Sequence, residues 1–123
     1  MIKTEELRLG NYVNLSDGSV DDDIRKVAII QQNGIHVLIK GCKNVLNYRP
    51  IEYIYAIPLT EEILLKCGFD KVREYFTIYY EFEIFKDKKG YYTHINCGNI
   101  YLNSLHQLQN LYFALTQQEL NIE

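Results

Sequence analysis

Glu81 and Glu83 stand two residues apart in a run that alternates apolar and polar positions. On a strand, that spacing puts both carboxyl groups on one face. Paired carboxylates perform general acid–base chemistry when their separation suits it. His94, whose imidazole can give or take a proton, would complete a dispersed acid–base site. The plainer account is a solvated strand face with Lys86, Lys88 and Lys89 nearby, so no catalytic residue is assigned. Cys42, Cys67, Cys97, His36, His94 and His106 supply metal-ligand chemistry by type. They contain no C-x₂₋₄-C or H-x₃₋₅-H pair, so no metal and no cofactor is expected. G-x-S-x-G, P-loop and G-x-G-x-x-G motifs are absent. Asp21, Asp22 and Asp23 lack the alternating spacing of a calcium loop.

Eleven tyrosines and five phenylalanines offer stacking chemistry instead. Tyr53, Tyr55, Tyr79 and Tyr92 would suit single-stranded bases if they lined a basic groove. The simpler account is that tyrosine fits strands and buries its ring while wetting its hydroxyl.

These residues need elements to position them. The run Phe76, Ile78, Tyr80, Phe82, Ile84 has period two and reads as one half-buried strand. A turn at Asp87-Lys88-Lys89-Gly90 returns the chain as Tyr91–Asn96, and Ile100–Leu102 adds a third strand after Cys97-Gly98-Asn99. Upstream, Tyr12–Leu15 is a first strand, and Ile24–Gln31 and Ile35–Lys40 flank an Asn33-Gly34 hairpin turn. Gly41–Arg49 reads as irregular, and Pro50 and Pro58 bracket an extended segment. Thr60 caps a short helix that Gly68 stops.

The last helix, from Ser104 to about Thr116, has the clearest pattern. Ser104 and Gln107 form a capping box. Leu105, Leu108, Leu111, Tyr112 and Leu115 share one stripe, expected to cover the aromatic face of residues 76–84. His106, Gln109, Asn110, Phe113 and Gln117 then form a charge-free outer arc. Solvent-facing helices normally carry Lys and Glu, and interface cores are aromatic and charge-poor, so these five are the interface candidates.

With 123 residues, 47% of them hydrophobic, the chain is long enough to bury roughly two-thirds of its unfolded surface. The net charge of −3 and the absence of Lys or Arg after Lys89 argue against duplex DNA and against nucleic acid in general. An odd cysteine count, an acidic start and the lack of a long apolar run imply reduced thiols, no membrane span and a cytoplasmic setting.

The segments LRLGNYV (7–13), IPLTEEILLKCGF (57–69) and HQLQNLYFALTQQEL (106–120) resemble a group of small uncharacterised proteins of gut anaerobic bacteria, their phages and integrated elements. The resemblance implies a bacterial or phage-infected host cell and carries no activity, cofactor or site residue. Such sequences often have Gly after ALT; here Gln117 stands there, so the helix is expected to run on.

The expected fold is α+β. Residues 1–58 form a small antiparallel lobe, SH3-like in its strand lengths. Residues 59–123 form a short helix, a β-meander and a covering helix, the two making one compact unit. The expected function is that of a non-enzymatic accessory protein acting by homo- or hetero-association, with no small-molecule ligand. The alternatives are single-strand binding through exposed tyrosines and an enzyme around Glu81, Glu83 and His94.

Overall fold

The computed structural model describes residues 2–16, 23–38, 46–78, 82–95 and 98–122. The fold is α+β, with two antiparallel sheets. The chain divides into two compact units, Met1–Ile57 and Pro58–Glu123. No helix among the described residues is long and apolar enough to cross a membrane.

The first unit contains β1 (Tyr12–Asn14), β2 (Ile24–Gln31), β3 (Gly34–Leu38) and β4 (Leu46–Pro50), in the order β1-β2-β3-β4. Its core is Ile2, Leu7, Val13, Val27, Ile35, Val37 and Ile54. Asn14 Oδ1 accepts from the amides of Ser16 and Asp23 at 2.9 and 3.0 Å, closing the neck of the loop between β1 and β2. Gln31 pairs with Gly34, so the β2–β3 turn is Gln32-Asn33 and Gly34 already lies in the strand. Gly34 is needed there for space rather than for its dihedral: a Cβ would stand 2.5 Å from Arg49 O and 2.6 Å from the Tyr48 hydroxyl.

Two expectations are corrected in this unit. Of residues 41–49, expected to be irregular, 41–45 lie outside the described residues and 46–49 form, with Pro50, β4, which pairs with β3 from Leu38–Leu46 to Gly34–Pro50. Pro50 lacks an amide proton and sits at the end of an edge strand, where none is required. The segment between the two prolines is not extended throughout. Ile51–Tyr53 makes a 3₁₀ turn, with the Ile51 amide bonded to Asn33 O, before Tyr55 bridges to Asn14.

The second unit begins with α1 (Glu61–Lys66). Thr60 caps it as expected, accepting from the Ile63 amide at 3.2 Å. Gly68, at φ 96°, ends it in a Schellman arrangement, with the Phe69 amide on Leu64 O and the Gly68 amide on Leu65 O. Then come β5 (Asp70–Val72), β6 (Tyr75–Ile78), β7 (Phe82–Asp87), β8 (Gly90–Ile95) and β9 (Gly98–Leu102), adjacent in that order, and α2 (Leu105–Thr116).

The expected single strand over 76–84 is two strands of a hairpin, β6 and β7, with Phe76 opposite Ile84 and Ile78 opposite Phe82. Antiparallel partners point to the same side of a sheet. Phe76 and Ile84 are eight residues apart and Ile78 and Phe82 four, even offsets that carry the period-two pattern from one strand to the next; Tyr79, Tyr80 and Glu81 lie outside the described residues. Phe76, Ile78, Phe82 and Ile84 are buried on the inner face, as their alternation requires. Phe82 lies 5.4 Å, ring centre to ring centre, from Tyr112 of α2, so the helix covers that face.

Candidate interaction face

The inner face of the second sheet is committed to the core, which leaves the outer face as the candidate surface. Register places one aromatic ring from each of four consecutive strands in a single transverse row. Tyr75 is followed by Phe85, Phe85 is paired with Tyr92, and Tyr92 with Tyr101. Centroid separations along the row are 5.5, 5.6 and 5.4 Å, with interplanar angles of 35°, 28° and 46°. Phe85 and Tyr92 are stacked, and the two flanking pairs are tilted. All four are half-buried. His94 adds a ring 5.4 Å from Phe85 and 5.6 Å from Tyr92.

Charge surrounds the row. Lys89 Nζ lies 6.0 Å from the centre of the Tyr101 ring. The Tyr101 hydroxyl donates to Asp87 Oδ2 at 2.6 Å, and Asp87 Oδ1 accepts the amides of Lys89 and Gly90. These bonds, the one from Tyr101 first, hold the Asp87 carboxyl below its ordinary range. The same bond, with burial and the carboxylate charge behind it, raises the Tyr101 phenol.

Glu83 and His94 border one shallow cleft of about 140 Å³, together with Phe82, Phe85, Thr93 and Leu115. Thr93 Oγ1 donates to Glu83 O at 2.7 Å. The structure thus brings together two members of the expected trio; Glu81 lies outside the described residues. No group of His, Cys, Asp and Glu able to hold a metal ion occurs among the described residues. Of the four tyrosines considered for base stacking, Tyr53 and Tyr55 belong to the first unit and Tyr92 to the aromatic row, and Tyr79 lies outside the described residues.

The expected helix arc is not a single outward surface. His106 and Gln109 are buried, at 2% and 0% exposure, Asn110 and Phe113 are half-buried, and Gln117 is exposed. On the other side, Leu105, Leu108 and Tyr112 are buried as expected, whereas Leu111 is half-buried and Leu115 is 51% exposed. The buried arc is rotated by roughly 80° from the leucine stripe, taking the wheel at its usual pitch. The cause lies past the helix. Gln117 takes the left-handed conformation, φ 63°, and ends α2 instead of extending it. The tail turns back, Leu120 is buried, and Gln109 Nε2 donates to Leu120 O at 2.8 Å. His106 Nδ1 shares a 3.1 Å hydrogen bond with Ser104 Oγ. The capping box does not form: Ser104 makes no side-chain cap, and Gln107 accepts from the Asn103 amide instead.

Sequence reasoning missed the row because its members are dispersed. Phe85 and Tyr101 had no local pattern to single them out, and the row exists only once four strands are in register. No family model, no curated protein and no solved structure matches the chain.

Proposed function

We propose that the protein acts by association and without catalysis, and that its contact surface is the outer face of the second sheet. The observation that carries this reading is the transverse row Tyr75–Phe85–Tyr92–Tyr101, half-buried and rimmed by Asp87, Lys89, Glu83 and His94. Protein interfaces have that composition: aromatic residues at the centre, tyrosine prominent, charges at the edge. The rings pack on one another at 5.4–5.6 Å in a chain of net charge −3, which favours a protein partner over stacked bases. The earlier resemblance supports a phage or mobile-element setting for this partner. In the first unit, the SH3-like reading is supported by the 3₁₀ turn after β4 and by Tyr55 returning to pair with β1.

The test is Tyr92→Asp, which puts a charge at the centre of the row while leaving the inner face alone. Quantitative capture of other proteins on the immobilised full chain should be weakened at least about tenfold, with unchanged circular dichroism. Capture of unchanged strength would overturn the reading.

A further inference from the structure

The two edges of the second sheet are built differently. β5 is three residues long, carries Asp70 and Lys71, and has Lys71 Nζ in an ion pair with Glu61 at 2.8 Å. Short, charged edges of this kind resist the addition of another strand. β9, Gly-Asn-Ile-Tyr-Leu, has neither charge nor proline, and Gly98, Asn99 and Ile100 are all exposed, Ile100 at 40%. Among the described residues no further strand borders it, and the bridge from Pro58 to Ser104 lies beyond its C-terminal end. Every second residue of such a strand aims its amide and carbonyl away from the sheet, a template for another strand.

From these observations we infer that β9 pairs with β9 of a second copy of this chain, antiparallel, with Ile100 opposite Ile100 on a two-fold axis normal to the sheet. The inference rests on the association reading above and adds to it a contact between copies at the edge of the same sheet. A neutral edge admits a second copy. The chain carries −3 overall, yet from Gly90 to Gln118 it has no Asp, Glu, Lys or Arg, so two like-charged copies meet here without repulsion. The strand is also self-complementary. The exposed Ile100 side chains cover each other, and each Tyr101 faces the partner copy's Asn99 on the outer side. Because the axis is normal to the sheet, both aromatic rows emerge on the same face of one ten-stranded sheet, which doubles the proposed contact surface. The edge is short, so a micromolar rather than a nanomolar dimer is expected.

The two-fold places residue 100 against itself, which gives a test that does not depend on folding alone. Sedimentation equilibrium of the full chain should show a monomer–dimer equilibrium. Ile100→Lys and Ile100→Glu should each raise the dimer dissociation constant at least about tenfold. Mixing the two variants should restore a heterodimer, which two misfolded variants would not form. A wild-type chain that stays monomeric at high micromolar concentration would overturn the inference, and so would variants that dimerise like the wild type or a mixture that forms no heterodimer. Tyr92→Asp separates this inference from the reading it rests on. A Tyr92→Asp chain that still dimerises leaves the edge pairing standing, whatever happens to capture of other partners. Loss of the dimer in Tyr92→Asp with retention in Ile100→Lys would mean that copies meet face to face, which overturns the edge pairing and keeps the association reading.

Discussion

Tyr101 of β9 donates its hydroxyl proton to Asp87 Oδ2 across 2.6 Å, tying the edge strand to the β7–β8 turn two strands away. The bond shifts both groups, Asp87 down from 3.8 and Tyr101 up from 10.0. A carboxyl with a lowered folded value stabilises the fold above its unfolded value and loses that contribution as pH falls through the lowered one. A phenol with a raised folded value contributes below its unfolded value and loses it as pH rises through the raised one. The pair's contribution is therefore constant from about pH 4 to 10 and fades at both ends. In Tyr101→Phe, the Asp87 carboxyl carbon, followed by NMR, should titrate at higher pH than in the wild type. An unmoved titration would show that the turn amides alone hold Asp87.

Gln109 was expected outside and is inside because it serves the tail. Gln109→Ala leaves the Leu120 carbonyl buried without this donor, a loss of about 1–3 kcal/mol. Leu120 also lines a cavity of about 210 Å³ with Cys67, Ile78 and Tyr112. Burial raises the Cys67 thiol to about 11, so it stays protonated and slow to react at neutral pH. Both Gln109→Ala and Leu120→Ala should speed its labelling by a thiol reagent in native buffer. Equal rates would mean that the tail does not guard the cavity.

Gly34→Ala should destabilise the chain by about 1–3 kcal/mol in denaturant melts, because the new methyl meets the β4 backbone at Arg49 O as well as the end of the Tyr48 ring. A neutral result would mean that β4 moves aside at little cost.

Gln117→Gly should stabilise the chain by up to about 1 kcal/mol, since glycine takes the left-handed conformation without the Cβ conflict. A destabilisation would show that the glutamine side chain contributes more than its backbone costs.

Elements with local signals were legible in the sequence: the Thr60 cap, the Gly68 stop, the Gly90 turn and the inner-face alternation of Phe76, Ile78, Phe82 and Ile84. Features set by distant partners were not. β4 exists because β3 pairs with it. β6 and β7 hid in one continuous alternation because an even offset preserves parity through a hairpin. The helix wheel misplaced Gln109 and Leu115 because the wheel carries no information about a returning tail. The aromatic row was the least visible, since its four members come from four strands and meet only through register.

The most direct measurement is hydroxyl-radical footprinting, residue by residue, of the dilute chain and of the same chain in its assembly from the producing cell. The account predicts that protection in the assembly concentrates on Tyr75, Phe85, Tyr92, Tyr101 and His94. Equal reactivity of these five side chains in both samples, with protection elsewhere or nowhere, would contradict it.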